Sequence, residues 1–390
     1  MDTAQAIASP NSSDSPRARL ATRLAFLLCG FCVASWAPLI PYAKQRMGID
    51  DGGMGVLLLC LGAGSVASML RTGPLCARYG CRHVLLASAL ALLLLLPPLA
   101  LVSSPWLMGA VLLGFGGALG SLDVAMNVHA VEVERDAGAP LMSGFHAMFS
   151  VGGFLGSALV TSLLSAGVTP FVCTLLCAAL MAAMLAVAQP RLIETPRVAA
   201  GHSLAWPRRG AILLLSALAA ACFLVEGAML DWSALLLTTQ SLAAPAQAGL
   251  GYAFFSVAMT AGRFGGDAVT ARLGDLATMR WGGALSVVGF LVLLSAGRLE
   301  GALLGFVLIG LGASNIVPVL FRRAGTLPGM PAAIAIAALT TTGYGGQLLG
   351  PAAVGFVSQL TSLPAAFWLL AALMALVPIF AGKVAGPARR

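Results

Sequence analysis

Apolar residues recur along this chain in unbroken runs about as long as a helix needs to cross a bilayer, separated by short polar or basic stretches. About 20 residues at 1.5 Å each match a hydrocarbon core of about 30 Å. Inside lipid every backbone N–H and C=O must be satisfied by the protein itself, which leaves helices and closed barrels as the spanning structures. The ten-residue alternation of a barrel strand is missing, so the runs predict an all-α integral membrane protein. Twelve transmembrane helices are expected, over 20–43, 53–72, 83–102, 106–130, 140–165, 169–189, 210–237, 246–270, 279–297, 301–321, 331–360 and 364–383. The longer ones are accommodated by tilt or by interfacial turns.

Composition excludes the soluble classes. Hydrophobic residues make up 59% of the 390 and charged residues 9%, against roughly 25% charged in soluble domains. The net charge of +8 does not indicate nucleic acid, because the arginines sit in short loops where they set topology. With both termini cytoplasmic, only Lys44, Arg46 and Arg298 of the 22 Lys and Arg residues face outward. Residues 1–19, rich in Ser, Pro and Ala, read as a disordered cytoplasmic tail and not as a signal peptide. Residues 191–209 carry Arg191, Arg197, Arg208, Arg209 and two prolines, and read as a cytoplasmic linker between a bundle at 20–190 and another at 210–390. Trp206 in that linker reads equally as a membrane-interface residue or as a plain linker residue. Six of the eight cysteines fall in apolar runs and the other two in a cytoplasmic loop, so disulfides are not expected. Cys29 and Cys32 have CxxC spacing without a second pair, which reads as small residues on a helix and not as a metal site.

The two bundles repeat one another. At an offset of 196, Trp36 falls on Trp232 and Val111–Gly116 (VLLGFG) on Val307–Gly312 (VLIGLG), while Asp123 falls on Val319. At 194, Arg78 and Gly80 fall on Arg272 and Gly274, and Gly152 and Gly156 on Gly346 and Gly350. A duplicated six-helix unit with pseudo-two-fold symmetry predicts a cavity between halves that rock to expose it to each side in turn.

Gly73, Leu75, Arg78, Gly80 and Arg82 follow the second span, and Arg263, Asp267, Arg272 and Gly274 follow a GRxxGDxxxxRxG pattern after the eighth. These loops resemble the cytoplasmic signature of the major facilitator superfamily. The acid expected four residues after the first glycine is replaced by Ala77, and Arg263 and Asp267, one turn apart, are spaced to pair. Leu122–Arg135 (LDVAMNVHAVEVER) followed by Pro140–Gly153 (PLMSGFHAMFSVGG) is similar to the bacterial branch related to fucose permeases. The resemblance covers nearly the whole chain. It implies a bacterial cytoplasmic-membrane transporter, with acids on the first and fourth spans coupling uptake to protons. Here the fourth span has Asp123, while the first, Leu20–Tyr42, has no acid.

A charge inside a span costs about 2.5–3.5 kcal/mol even on the lenient insertion scale, so such residues are functional candidates. Three acids qualify: Asp123, Glu226 and Asp231. Gly116, Gly120, Asp123 and Asn127 share one helix face, and His146, Ser150, Gly153 and Ser157 share another in the next span. Asp123 and His146 lie at matching depth, as a proton-exchanging pair for coupling or gating, or as a structural clamp with Asn127. Glu226 reads as a substrate or proton ligand, or as a bond to another helix; for Asp231 the structural reading leads. Trp36, Trp232, Asn315, Tyr344 and Gln347 supply the aromatic faces and neutral hydrogen-bonding groups that suit a polyhydroxylated solute. Four scattered histidines and no GxxxxGK[ST] loop argue against an enzyme or an ATP-driven pump. The expectation is a monomeric secondary transporter in contact with membrane lipid, taking up a small polar solute such as a sugar with protons, with no cofactor and no metal. The alternative is a proton-driven exporter of amphipathic compounds, for which 15 methionines supply adaptable surface. A transporter-derived receptor is disfavoured, since no long loop is present to signal through.

Overall fold

The computed structural model describes residues 16–49, 51–194, 210–243, 247 and 249–385. They form α1 (Pro16–Trp36), α2 (Ile40–Met47), α3 (Asp51–Tyr79), α4 (Cys81–Leu99), α5 (Pro105–Ala137), α6 (Met142–Ser165), α7 (Pro170–Ala188), α8 (Gly210–Thr239), α9 (Leu250–Ser295), α10 (Leu299–Ala313), α11 (Ile316–Gly325), α12 (Ala332–Leu360) and α13 (Leu363–Ala385). The first helix begins at Pro16, inside the stretch expected as a tail. Residues 195–209, most of the expected linker with Trp206, lie outside the described residues.

Among the described residues ten segments are long and apolar enough to cross a membrane, α1 with α2 and α10 with α11 each counting once. The expected spans 246–270 and 279–297 form one helical run, α9, and 331–360 is α12, which is not among those ten. As one straight helix the 46 residues of α9 would reach about 69 Å, more than twice the hydrocarbon core. The chain instead turns at Gly274, where φ 77° and ψ 164° leave the helical region and suit a residue without Cβ. Packing on α10 shows the reversal. Gly251 meets Phe306 and Phe255 meets Gly310 in parallel order, whereas Gly282 meets Gly312 and Leu293 meets Gly305 in antiparallel order. A helix that meets α10 in both senses has doubled back between them.

With lipid on the outside, helices associate by close packing of small residues. A Cβ on Gly116 would collide with the Leu61 carbonyl of α3, and one on Gly310 with the Phe255 carbonyl of α9. Gly116 and Gly310 are 194 residues apart, and so are Leu61 and Phe255. Gly152 presses on Leu27 of α1 as Gly346 presses on Ala220 of α8. These contacts relate the glycine runs at 194 and not at 196, which sets Asp123 against Val317; the counterpart is a valine in either register.

Candidate functional site

Helices before residue 195 meet those after 209 along α3 against α12 and along α6 against α9 and α11. The seam is richest at the end that carries the arginine-rich loops. There the α5–α6 turn brings Glu134 back to the start of α6, where its Oε2 accepts from the N–H groups of Leu141 (2.6 Å) and Met142 (2.7 Å). The next two N–H groups, of Ser143 and Gly144, donate at 2.9 Å to the two carboxylate oxygens of Asp267 on α9. The first N–H groups of a helix have no partner within it, and its positive end favours anions. Two carboxylates from different parts of the chain satisfy all four here.

The same Glu134 pairs with Arg322 of α11, whose Nη1 donates to Asp275 at 2.6 Å; Arg323 also pairs with Asp275 at 2.6 Å. Glu134 and Arg322 keep 6% and 14% of their side-chain surface, so the pair is withdrawn from water and resists screening. Alongside, Gly73 closes on α12: a Cβ there would lie 2.7 Å from the Ala333 carbonyl oxygen.

One turn inward along α6, His146 packs against Phe26 of α1 (5.2 Å between ring centres) and Phe321 of α11 (5.4 Å), and its Nε2 has no hydrogen-bond partner. A further turn inward, Ser150 accepts from Nη1 of Arg263 at 2.9 Å, and Nη2 of Arg263 lies 3.5 Å from Oε1 of Glu226 on α8. Ser143, His146 and Ser150 thus form three layers on one face of α6, about 10 Å deep at 1.5 Å per residue. Arg263 keeps 9% of its side-chain surface and Glu226 31%, so the acid is the more accessible member of the pair. Tyr252, Tyr344 and Gln347 are half-buried; Gln347 lies beside Gly227 of α8, and the Tyr344 ring is 6.0 Å from that of Phe223 on the same helix.

The predicted residues fall into place unevenly. Arg263 and Asp267 do not pair; they point to different layers, because each finds a better partner on another helix than on its own. No hydrogen bond or ion pair joins Asp123 to His146. Asp123 is buried, and its carbonyl and Oδ1 accept from Asn127 Nδ2 at 2.9 and 3.3 Å, while His146 sits between phenylalanines. Asn315 stands at the break between α10 and α11 and donates to the Gly262 carbonyl at 3.1 Å, a pin between helices. Trp36 is buried and Trp232 half-buried against Gly355, both with unpartnered indole N–H groups. Asp231 is exposed.

Of the loop signature, Gly80 and Gly274 make turns with φ of 87° and 77°. Arg78 lies over the Tyr79 ring, Arg272 is exposed, and Arg82 pairs with Glu194 at 3.2 Å. The ion-pair network at this end is built from Glu134, Asp275, Arg322 and Arg323, which sequence reasoning did not single out. It also passed over His129. The Ile193 N–H donates to Nε2 of this buried ring at 3.1 Å, so Nδ1 carries the proton toward Thr22 Oγ1, also at 3.1 Å. With Arg82, it fastens the chain leaving α7. Two cavities, of about 360 Å³ beside Tyr42 and Arg46 and about 780 Å³ beside Gly274 and Trp281, lie away from the Glu226–Arg263 pair.

The sequence profile described as Major Facilitator Superfamily matches residues 24–326. An uncharacterized MFS-type transporter of Yersinia pestis is 44% identical over 367 residues, 94% of this chain and 95% of the relative. Among solved structures, FucP in its outward conformation superposes with a TM-score of 0.79 at 19% identity, covering 96% of this chain and all of that one. A second structure, of the E. coli fucose:proton symporter FucP carrying a substitution, gives 0.74 at 17% identity, again over 96% of this chain and all of that one. At these identities the likeness to the solved structures is one of fold.

Proposed function

This chain belongs to the major facilitator superfamily, and from that premise we propose that it takes up a small polar solute, of the sugar class, together with protons by alternating access. Counting the two arms of α9 as separate spans and adding α12 to the ten gives the twelve spans of two six-helix bundles, a reading supported by the matched glycine contacts 194 residues apart. The distribution of Lys and Arg among the loops supports a cytoplasmic location for both termini and for the carboxylate-capped end of α6. In that frame Glu226, whose partner Arg263 bonds Ser150, lies about two helical turns outward of the Glu134 and Asp267 carboxylates that cap α6.

The observation that carries the reading is the Glu226–Arg263–Ser150 bridge, in which the partly accessible acid holds the guanidinium that reaches the other bundle. A proton on Glu226 removes the charge that holds Arg263, and Arg263 is then free to leave Ser150 on the other bundle. Asp123 is the second acid within the membrane, bonded only to its neighbour Asn127. Trp232, Tyr344 and Gln347 provide an aromatic face and neutral donors and acceptors for a ring bearing hydroxyls. The reading is tested in liposomes holding the purified protein, with L-fucose, D-xylose and D-glucose added outside in turn. Alkalinisation of the medium with one of them supports sugar uptake with protons. Pumping of cationic dyes with no response to any sugar shows an exporter instead.

A further inference from the structure

The larger cavity, about 780 Å³, lies at the arginine-rich end of the bundle between the α9 turn and α13, with Gly274, Asp275, Arg280, Trp281, Arg323 and Pro378 in its wall. It lies apart from the transport site. Trp281 is 70% exposed and stands seven residues beyond the turn, the depth at which tryptophan rings settle between headgroups and hydrocarbon. The rest of the wall is mostly leucine and alanine from α9. The cavity therefore opens where a lipid headgroup gives way to its chains.

Its charge is unbalanced. The one acid, Asp275, is already held by Arg322 and Arg323. Arg280 is exposed, with no hydrogen bond or ion pair among the described residues, and its guanidinium lies beside the backbone at Gly382 of α13. Arg323 pairs with Asp275 through Nε and keeps 29% of its side-chain surface accessible. Lys383, next to Gly382, adds a further positive charge at that edge. Two guanidinium groups around an open space suit a phosphate, since each presents a planar fork to its oxygens.

We propose that this cavity binds an anionic phospholipid by its phosphate, with Arg280 and Arg323 as charged partners and Trp281 and the apolar wall against the glycerol and first acyl carbons. Because Arg323 shares Asp275 with Arg322, an occupied site touches the group that holds the cytoplasmic seam.

The test is native mass spectrometry of the full chain from detergent, with phosphatidylglycerol or phosphatidylcholine at equal concentration. The proposal expects phosphatidylglycerol to be retained preferentially, Arg280→Gln to reduce that retention by about tenfold, the loss of about 1.4 kcal/mol, and Arg280→Lys to recover part of it. Arg298→Gln, on the opposite face, serves as the control and should bind as wild type. Equal retention of the two lipids, or unchanged retention in a monodisperse Arg280→Gln protein, overturns it. Complete displacement of phosphatidylglycerol by millimolar glycerol 3-phosphate also overturns the lipid assignment, since the phosphate alone would then account for binding.

Discussion

Arg263 makes two contacts that no other side chain in the chain would reproduce. Its guanidinium reaches Ser150 on α6 and Glu226 on α8. Lysine keeps the charge as a single point and forfeits the second arm, so Arg263→Lys should transport more slowly than wild type and Arg263→Gln more slowly still. For Arg263→Gln the initial rate of uptake should fall at least about tenfold, the effect of 1.4 kcal/mol, because Glu226 is left without its counter-charge. Uptake at the wild-type rate in Arg263→Gln would remove the bridge from the mechanism. Asp123 offers a contrasting case. Its bonds are to Asn127 on its own helix, so Asp123→Asn should fold with a thermal midpoint close to wild type. Loss of pH-gradient-driven accumulation in that variant would assign Asp123 to coupling, and undiminished accumulation would leave it a clamp.

At the scale of helices, close approach decides stability. A methyl on Gly310 would be driven into the Phe255 carbonyl, so Gly310→Ala should cost about 1–3 kcal/mol, the range for overpacked sites, read as a lower midpoint in detergent. Gly274→Ala acts through the backbone instead, since φ there is positive. It should cost about 1–2 kcal/mol while leaving the distant Arg263–Glu226 contact in place. An unchanged midpoint in either variant would contradict the packing described. Much of this is legible in the sequence. Apolar runs place the helices, although α3 and α5 each run seven residues past the expected ends at 72 and 130, and the spacing of His146 and Ser150 marks the face of α6 that meets Phe321 and Arg263. The α9 turn reads as a loop in the sequence, but helical hydrogen bonding continues on both sides of it because Gly274 alone absorbs the reversal. The network around Glu134 and Arg322 is not legible. Glu134 and Arg322 are 188 residues apart and Arg322 and Asp275 47, and each reads locally as an ordinary loop charge. The pairing of Arg263 with Asp267 is sound by helical spacing and fails because spacing says nothing of partners on other helices.

For the whole molecule, the capped start of α6 and the Glu134–Arg322–Asp275 network tie helices before residue 195 to helices after 209 at one end of the seam. Hydrogen bonds to charged groups contribute about 1.5–3 kcal/mol each. Asp267→Asn should therefore shift the balance between closed and open cytoplasmic ends by roughly tenfold or more, seen as a longer distance between spin labels at Arg78→Cys and Arg272→Cys in a background free of native cysteines. An unaltered distance distribution would separate the network from gating. The central claim is that Glu226 carries the proton that loosens the bundles, and it is tested most directly by comparing two modes of transport in liposomes bearing Glu226→Gln. Exchange of labelled for unlabelled sugar needs no net proton movement, whereas accumulation driven by a pH gradient does. The account predicts exchange near the wild-type rate with accumulation abolished; accumulation that persists undiminished in Glu226→Gln would contradict it.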